Sequence, residues 1–533
     1  MPTVTLITPC PPDISAFGTR SISSFLRSKG HQTNIIFFPG VIGLQGGEGT
    51  SGQYYNDTIL TQVKEICSDS SLVVISFMTS YLERAIQLTT TIRKDTSARV
   101  LWGGMHTMLK PETVLDYHDL ILVGEGEEAI LELVEQITAE KSVDNIQGIW
   151  TRKNGHIIDN GIRPPIQDLD QLPFYDFSSQ HHYLHEPEFN RISIMNEESF
   201  KNYLTPMPFF NNTLKLTYRT ITDRGCPHVC TYCNAPALKR LFEPCNVPYF
   251  RHRSPAHVIK ELSYIIKKYP FVEAIQFFDD TFFSRPARWF EEFAIEYKKQ
   301  IDLPFYCQTS PTTVNRKKLE LLMDAGLVFI EMGIQTGSDK IRKLYRRKET
   351  NQMILDGVRL IHSYFPRLMM PVYHFIIDNP WETEEDQMDT VRLIADFPKP
   401  FGLAVASLIF FPDTGLFERA RDEGLVFLEK DEAFHPPFYI PHQKNYPGFL
   451  LYLLTFPYFP KSILKVLMHH NVAAFFSRHT PQTFYQAAHS IGEFVRSAIK
   501  GFHLILRGDF KRIIRYFKRR VFTSNPANRA STD

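Results

Sequence analysis

Three cysteines stand close enough together in this chain to hold one metal centre. Cys226, Cys230 and Cys233 lie within eight residues, with the spacing C-x3-C-x2-C. An iron–sulfur cube normally has four thiolate ligands, so three thiolates leave one iron with an open site for chemistry. The alternative is a zinc knuckle that takes His228 as its fourth ligand. Zinc sites usually draw a second ligand pair from elsewhere, and the sequence offers none. The pattern therefore favours a catalytic cluster.

The residues around these cysteines carry a family resemblance. Asp-Arg-Gly precedes Cys226 and Asn-Ala-Pro follows Cys233. With these flanks the loop resembles the cluster-binding loop of the radical S-adenosylmethionine (SAM) enzymes. The resemblance implies a [4Fe–4S] cluster on Cys226, Cys230 and Cys233, whose open iron chelates SAM and cleaves it to a 5′-deoxyadenosyl radical. It also implies an electron donor such as a flavodoxin or a ferredoxin.

Residues 211–425 must position this loop. Strand-like and helical patterns alternate there, and polar residues follow each of six predicted strands. This rhythm predicts a partial (β/α)6 barrel with its active site at the carboxyl ends of the strands. A helix is predicted to begin at Ser254-Pro255 and to run to about residue 268.

By the same resemblance, side chains at these strand ends contact SAM. Tyr232 is expected beside the adenine, the aspartate pair at the amino group, and the fourth-strand residues at the ribose or carboxylate. Arg346 or Arg347 would bind the carboxylate, since a guanidinium can bind it through two hydrogen bonds. The implied SAM contacts are Tyr232, Asp279, Asp280, Glu331, Gln335, Ser338 and Arg347.

Three of these assignments have alternatives. The Asp279-Asp280 pair could cap a helix, and the basic run from Arg346 to Lys348 could be a solvated surface. Glu331 stands in an otherwise apolar strand. Burial of an unpaired carboxylate is costly, so Glu331 is predicted to have a functional or ion-paired role.

Residues 1–145 also alternate between strand-like and helical patterns. The alternation predicts a doubly wound, Rossmann-like α/β sheet, whose ligands bind at the carboxyl ends of the strands. The loops expected there are 76–80, 103–107 and 124–128, and glycines in two of them let backbone approach a ligand closely. Each loop taken alone could equally be a tight turn.

Together these loops resemble the cobalamin-binding domain of B12-dependent radical SAM proteins. The shared features are the Gly-Gly-x-His loop ending at His106, the following Pro111-Glu112, and a Val-Gly-Glu-Gly-Glu turn. The implied cobalamin contacts are Thr79, Ser80, Gly103, Gly104, His106, Gly124, Glu125 and Gly126.

The resemblance departs from many cobalamin modules at one point. Many of them supply a cobalt ligand from an Asp-x-His-x-x-Gly motif after the first strand, and the loop from Pro9 to Ser15 contains no histidine. Asp116-Tyr-His118 imitates the start of that motif but lacks its glycine. The sequence therefore predicts cobalamin bound without a histidine below the cobalt.

The remaining segments connect and extend these two domains. Residues 146–210 are predicted to form a linker with a small hairpin that turns at Asn154-Gly155. Residues 426–533 are predicted to be helical. Between Arg507 and Arg520 seven Lys and Arg accompany Asp509 alone, opposite an apolar stripe. That pattern predicts either an interfacial membrane helix or a docking helix with a solvated basic face, followed by a disordered tail from Ser524.

Composition restricts the broad class. The 533 residues indicate two to four domains, and 59 Lys and Arg against 58 Asp and Glu give no reason to expect nucleic acid. The 43 Phe suggest apolar pockets or a lipid-facing surface. Seven cysteines, three of them clustered, favour a reducing compartment. We predict a cytoplasmic protein, with peripheral membrane contact as an option.

The function expected from the sequence is that of a cobalamin-dependent radical SAM enzyme. Its most direct activity would be methyl transfer to an unactivated carbon of a lipid or natural-product substrate. A radical cyclase or a carbon–carbon coupling enzyme on the same scaffold is the alternative. A non-catalytic iron–sulfur electron-transfer protein is the alternative from a different class.

Overall fold

The computed structural model describes residues 3–9, 14–39, 54–425 and 445–506. The chain divides into two compact units, Met1–Pro441 and His442–Asp533. Within the first unit, two β-sheets carry the loops that matter for function. The predicted α/β architecture is confirmed by this arrangement.

The first sheet has nine strands in the order β7-β6-β5-β4-β3-β1-β2-β8-β9. Its strands are β1 (Thr3–Thr8), β2 (Gln32–Phe37), β3 (Ser70–Ser76), β4 (Arg99–Gly103), β5 (Leu120–Leu122), β6 (Ile149–Lys153), β7 (His156–Ile158), β8 (His182–Glu186) and β9 (Arg191–Ile194). The six strands from β5 to β8 in this order run parallel. Two antiparallel hairpins, β6–β7 and β8–β9, close its edges.

Helices cover this sheet on both faces, because its parallel strands are apolar on both sides. The helices are α1 (Phe17–Ser28), α2 (Asp57–Cys67), α3 (Leu82–Asp95), α4 (Met105–Leu109), α5 (Pro111–Val114) and α6 (Glu127–Thr138). Helices α2 and α3 pack on one face, and α1 and α6 contact each other on the other face. The strand order reverses between β1 and β3, and ligands of such sheets bind at that switch point.

The predicted linker contributes to this sheet more than its sequence suggests. The hairpin predicted at Asn154-Gly155 is confirmed, with Lys153 opposite His156. Strands β8 and β9 extend the other edge, although residues 182–194 show no clear alternation. A short helix, α7 (Glu197–Tyr203), follows them. The division at residues 145 and 210 stays a prediction.

The second sheet forms the half-barrel. Its order is β10-β11-β14-β15-β16-β17-β18, and all neighbouring strands are parallel except β10 and β11. The strands are β10 (Thr205–Pro208), β11 (Leu214–Thr220), β14 (Ala274–Phe277), β15 (Phe305–Thr309), β16 (Leu327–Gln335), β17 (Val372–Ile377) and β18 (Gly402–Ser407). A separate two-stranded pair consists of β12 (Asp223–Arg224) and β13 (Arg251–His252).

Helices connect the barrel strands. They are α8 (Ala235–Phe242), α9 (Pro255–Lys268), α10 (Ala287–Gln300), α11 (Arg316–Ala325), α12 (Asp339–Leu344), α13 (Asn351–His362), α14 (Glu384–Ala395) and α15 (Gly415–Asp422). Helix α9 begins as predicted, because the Ser254 side chain accepts a hydrogen bond from the His257 amide and Pro255 occupies the first turn. The predicted partial (β/α)6 barrel is confirmed.

The second unit is helical over its described residues. Its helices are α16 (Tyr446–Leu454), α17 (Lys461–Leu467), α18 (His470–His479) and α19 (Gln482–Leu506). The predicted helical character of the C-terminal region is confirmed over these residues. Among the helices that the structure describes, none has the length and apolar character needed to cross a membrane. The basic helix predicted from Arg507 and the tail lie outside the described residues.

Candidate functional site

The cysteine loop follows β11 and begins with a tight turn. Gly225 has a φ of +86°, and a Cβ on it would lie 2.6 Å from the carbonyl oxygen of Tyr249. No other residue avoids both the strained φ and this clash, so glycine is required before Cys226. The turn directs the loop away from the strand towards the carboxyl end of the barrel.

The three thiols have surroundings that suit a cluster. Cys226 and Cys230 are buried and Cys233 is half-buried. Burial raises the pKa of Cys226 to about 12 and of Cys233 to about 11, so iron must displace these protons on binding. The Ala235 amide donates a hydrogen bond to the Cys233 sulfur over 3.5 Å. The donor set therefore fits a [4Fe–4S] cluster with three protein ligands.

The zinc alternative depended on His228. The imidazole Nε2 of His228 lies 3.4 Å from the hydroxyl oxygen of Ser310. Within the described residues, no three His, Cys, Asp or Glu side chains converge closely enough to hold one metal ion. A [4Fe–4S] cluster does not require such convergence, because each thiolate binds a different iron of the cube.

Arg347 links the cysteine loop to the fourth barrel strand. Its guanidinium donates to the Tyr232 hydroxyl over 3.1 Å, to the Gly333 carbonyl over 2.7 Å and to the Cys230 sulfur over 3.8 Å, and it also bonds to Glu349. The side chain is only 7% exposed, whereas Arg346 is exposed. The alternative of a solvated basic run therefore fails at Arg347, which is the arginine beside the cluster loop.

Tyr232 is held from two sides. Besides its bond from Arg347, its ring meets the ring of Tyr345 edge-on, with 5.0 Å between the centroids. Burial is the main cause that raises the pKa of Tyr232 well above its ordinary value, so the phenol stays neutral. A neutral, fixed aromatic ring beside Cys230 and Cys233 is suited to contact a nucleobase.

The two aspartates after β14 have different roles. Asp279 is buried and accepts hydrogen bonds from the amides of Thr222 and Asp223, over 2.6 and 2.8 Å, while Arg285 approaches it within 3.2 Å. These partners give Asp279 a structural role, and its predicted contact with SAM stays a prediction. Neither aspartate caps a helix.

Asp280 differs from Asp279, since it has no hydrogen bond or ion pair among the described residues. It is exposed, whereas Asp279 is buried. Its own charge adds to the raised pKa of Cys226 and of Cys233, after the larger effect of burial. Asp280 therefore lies beside the cysteine loop and can receive an ammonium group.

The end of β16 presents Gln335 but not Ser338. The pairing of β16 with β17 shifts register between Gly333 and Gln335, and Gln335 has a φ of +76°. Such bulges and strained residues occur at functional sites, where they redirect a side chain. Ser338 instead caps α12 and donates to Asp386 over 2.7 Å while almost fully buried. Ser338 thus serves as a helix cap, and its predicted SAM contact stays a prediction.

Glu331 lies on the concave face of the half-barrel, in the middle of β16 rather than at its end. Its Oε2 is 3.3 Å from Nε2 of Gln308 and 3.3 Å from Nε2 of His374, on the two neighbouring strands. The three side chains are half-buried and face the open side of the sheet. The sequence pointed to Glu331 but missed Gln308 and His374. Their polarity within apolar strands was the available signal.

The carboxyl edge of the first sheet carries a second polar group. The Thr79 hydroxyl and Nδ1 of His106 are 3.0 Å apart, and both side chains are buried. Burial, helped by Lys110, lowers the pKa of His106 to about 4, so its imidazole is neutral. Its Nε2 is buried with no partner among the described residues. A ligand with a hydrogen-bonding edge, such as a corrin amide, fits this edge.

Most of the other predicted cobalamin residues are used for packing. A Cβ on Gly104 would lie 2.5 Å from the carbonyl oxygen of Phe77, and one on Gly126 would lie 2.9 Å from Ile22. A Cβ on Gly103 or Gly124 would also meet a neighbouring side chain at 3.5 Å. Gly104 and Gly126 allow elements to approach one another closely, and the ligand contacts predicted for the four glycines stay predictions.

Glu125 is likewise engaged within the protein. It pairs with Arg224 over 3.2 Å and with Arg251 over 2.8 Å. Glu125 is thus ion-paired within the protein, and its predicted cobalamin contact stays a prediction. The side chain of Ser80 lies outside the described residues. So do residues 10–13, which belong to the loop where a cobalt-binding histidine is missing from the sequence. His118 stacks on Trp102, with 4.8 Å between the ring centroids, and has a structural role.

Two family models match this chain. Residues 220–394 match the radical SAM superfamily, and residues 74–152 match the N-terminal part of radical SAM proteins. The first match contains the cysteine loop, Asp280, Gln335 and Arg347. The second contains Thr79 and His106.

Relatives of known sequence are distant. An uncharacterized methyltransferase, PH0819, from Pyrococcus horikoshii is 24% identical over 336 residues, which is 61% of this chain and 64% of the relative. An anaerobic magnesium-protoporphyrin IX monomethyl ester cyclase from Cereibacter sphaeroides is 25% identical over 62% of this chain and 49% of the relative. The chain thus spans less than two thirds of the length of either relative.

Two solved structures share the fold. The radical SAM methyltransferase TsrM from Kitasatospora setae, solved with tryptophan and a SAM analogue, has a TM-score of 0.61 at 16% identity, over 79% of this chain and 76% of that chain. The cobalamin-dependent radical SAM enzyme OxsB, solved with aqua-cobalamin and SAM, has a TM-score of 0.61 at 16% identity, over 84% of this chain and 65% of that chain.

Proposed function

We propose that this chain, whose residues 220–394 match the radical SAM superfamily, is a cobalamin-dependent radical SAM enzyme that methylates an unactivated carbon. The observation that carries the proposal is the contact of Arg347 with both the Cys230 sulfur and the Tyr232 hydroxyl. This contact means that an aromatic ring suited to a nucleobase, that of Tyr232, and a cation suited to a carboxylate, that of Arg347, lie beside the loop of three thiols. The shared fold with TsrM and OxsB supports the same assignment.

When bound, the cluster with SAM would supply a radical that abstracts a hydrogen atom from carbon, and cobalamin would supply the methyl group. Cys226, Cys230 and Cys233 would hold the iron. Asp280 is the residue proposed for the SAM ammonium, and Arg347 for the SAM carboxylate. Arg347 bonds to a backbone carbonyl and to Glu349, so its guanidinium is oriented before the ligand arrives.

Thr79 and His106 are proposed to contact cobalamin at the carboxyl edge of the first sheet. The unpartnered Nε2 of His106 is buried there, and it would find a partner in the ligand. The sequence between β1 and α1 supplies no histidine. We therefore expect Co(II) in the bound cobalamin to show no nitrogen hyperfine splitting from an axial imidazole in paramagnetic resonance. A clear imidazole splitting would contradict this expectation.

The concave face of the half-barrel is proposed to hold the substrate. Glu331, Gln308 and His374 provide a polar group there, and Phe278 provides an aromatic ring that is 43% exposed and faces Arg219 at 5.4 Å. This mixture suits a largely apolar molecule with one polar function, such as a lipid or another natural product. Under this proposal Glu331 contacts the substrate, whereas the sequence predicted a contact with SAM.

The proposal is tested by anaerobic reconstitution with iron, sulfide, SAM, a reductant and cobalamin. Formation of 5′-deoxyadenosine is the expected result. Cys226→Ala, Cys230→Ala or Cys233→Ala should each abolish it, whereas Cys67→Ala and Cys245→Ala, which remove thiols outside the loop, should leave it intact. Cleavage of SAM by the Cys230→Ala protein would overturn the cluster assignment.

A radical cyclase on the same scaffold is a second candidate, because a named relative is a cyclase. Product analysis separates the two. A methylated product whose methyl group carries label from labelled SAM supports the methyltransferase. A ring-closed product of unchanged carbon count supports the cyclase.

A further inference from the structure

Arg224 joins the cysteine loop to the first sheet. It stands in β12, two residues before Cys226. Its guanidinium pairs with Glu127 and with Glu125, the latter over 3.2 Å, and donates to the hydroxyl of Ser21 over 3.0 Å. Ser21 belongs to α1, Glu125 to the loop between β5 and α6, and Glu127 is the first residue of α6.

Arg251 reinforces the same connection from the paired strand β13. It binds Glu125 over 2.8 Å and the Ile166 carbonyl over 2.6 Å, and Glu125 accepts from the Ile166 amide over 2.9 Å. Arg224 and Arg251 are directly opposite each other in the β12–β13 pair. Two adjacent arginines are therefore neutralised by Glu125 and Glu127, which lie where the loop after β5 enters α6.

Asp223, the residue before Arg224, points the other way. Its carboxylate lies 3.0 Å from Arg285, which also binds Asp279 at the end of β14. Successive side chains of a strand point to opposite sides. The two residues of β12 consequently anchor the cysteine loop to the half-barrel on one side and to the first sheet on the other.

The burial of this network makes each member hard to remove. The side chains of Glu127, Arg251 and Asp223 are 4% exposed or less, and Arg285 is fully buried. Removal of one partner from a buried ion pair leaves an uncompensated charge, which is far more costly than loss of a surface pair. The loop before Cys226 is thus strongly constrained in direction.

We propose that Arg224, with Glu125 and Glu127, is a positioning residue that holds the cysteine loop against the first sheet and so sets the separation between cluster and cobalamin. The part that concerns cobalamin rests on the proposed function. The part that concerns the loop does not, because the contacts exist within the protein itself.

The first test measures amide hydrogen exchange in the full-length protein without cofactors. Arg224→Gln should raise exchange across residues 221–233 about tenfold. Arg163→Gln is the matched control. The Arg163 side chain is 22% exposed, against 21% for Arg224, and it also pairs with two glutamates. These are Glu128 and Glu132 of α6, so the pairs do not involve the cysteine loop. The control should change exchange in 221–233 less than twofold. Unchanged exchange in the Arg224→Gln protein would overturn the proposal.

If Arg224→Gln does not fold, Glu125→Gln carries the test, because the Arg224–Glu127 pair remains. It should raise exchange in the same segment by a smaller factor, and no rise would overturn the proposal. Hydrogen exchange in the Arg224→Lys protein should lie between that of wild type and that of Arg224→Gln, because lysine keeps the charge but cannot form bidentate hydrogen bonds.

The second test measures the distance between reduced cluster and Co(II) by pulsed paramagnetic resonance in the reconstituted protein. Arg224→Gln should broaden and lengthen this distance at unchanged iron and sulfide content, and Arg163→Gln should not. An unaltered distance would overturn the cobalamin part. If the wild-type protein binds no cobalamin, the proposed cobalamin dependence is wrong. The role of Arg224 in holding the cysteine loop is then tested by hydrogen exchange alone.

Discussion

Arg347 shows how much one side chain contributes to the proposed SAM site. It is buried, it contacts the Cys230 sulfur, and its neighbour Arg346 is exposed on the same turn. A charge-assisted hydrogen bond contributes about 1.5–3 kcal/mol, which corresponds to roughly 10- to 100-fold in binding.

We therefore expect Arg347→Gln to weaken SAM binding to the reconstituted protein by roughly 10- to 100-fold. Equilibrium dialysis with labelled SAM measures this directly. Arg346→Gln removes the same charge one position away and should change the affinity by less than about twofold, since surface charges contribute little. Equal losses in both variants would show that only the general positive potential matters.

The aspartate pair separates function from stability in adjacent residues. Asp279→Asn leaves Arg285 with an altered buried partner and should lower the free energy of unfolding by about 3 kcal/mol. Asp280→Asn removes an exposed carboxylate and should leave thermal stability within about 1 °C while SAM binding weakens.

Thermal melting and SAM dialysis of the two variants provide the comparison. The assignment of Asp280 to the ammonium group would be wrong if the Asp280→Asn protein bound SAM as tightly as wild type.

At the scale of elements, α5 and the loop after it bury a histidine that should make the first sheet sensitive to acid. His118 stacks on Trp102 of β4, and its Nε2 is 2.8 Å from the Val100 carbonyl. Burial lowers its pKa to about 4 from an ordinary value of 6.5. The unfolded chain binds this proton below about pH 6.5 while the folded chain does not, so stability is full above pH 6.5 and falls as the pH drops towards 4.

From this histidine alone we expect about 1 kcal/mol less stability at pH 5.5 than at pH 7.5. His118→Gln, whose amide can keep the bond to Val100, should lose less melting temperature between these pH values than wild type does. His156→Gln changes an exposed histidine and should behave as wild type. An equal loss in wild type and His118→Gln would contradict the role given to burial.

At the scale of the whole molecule, charge is unevenly distributed. Residues 442–533 contain 14 Lys and Arg but only 3 Asp and Glu, in a chain whose totals are 59 and 58. In the same unit α17, α18 and α19 expose large apolar side chains, among them Val466, Phe475 and Phe494. Basic residues near an anionic leaflet contribute about 1 kcal/mol each. This combination supports the proposal of reversible membrane contact.

We expect the full-length protein to sediment with anionic vesicles at low salt and to be released by high salt, because screening weakens surface charges. Removal of residues 507–533 takes away seven of the clustered basic residues and should reduce binding by at least tenfold. Neutral vesicles are the control. Failure to bind anionic vesicles at low salt would remove the main support for a lipid substrate.

Features that depend on local spacing are readable from the amino-acid sequence alone. The half-barrel, the doubly wound sheet and the cap of α9 were predicted from patterns of a few residues, and the structure confirms them. The three-cysteine loop was predicted in the same way, and it lies within residues 220–394, which match the radical SAM superfamily. Such features are short-range, because periodicity and turn geometry are properties of neighbouring residues.

The surroundings of each candidate side chain are visible only in the folded chain. Asp279 and Asp280 are equivalent in sequence, yet one is enclosed by Thr222 and Arg285 and the other is exposed. Arg347 meets a sulfur 117 residues away, and Arg224 meets a glutamate 97 residues away. A side chain's partners depend on which strands become neighbours and on which face it occupies. Packing of the whole chain sets both, so local pattern could not reveal them.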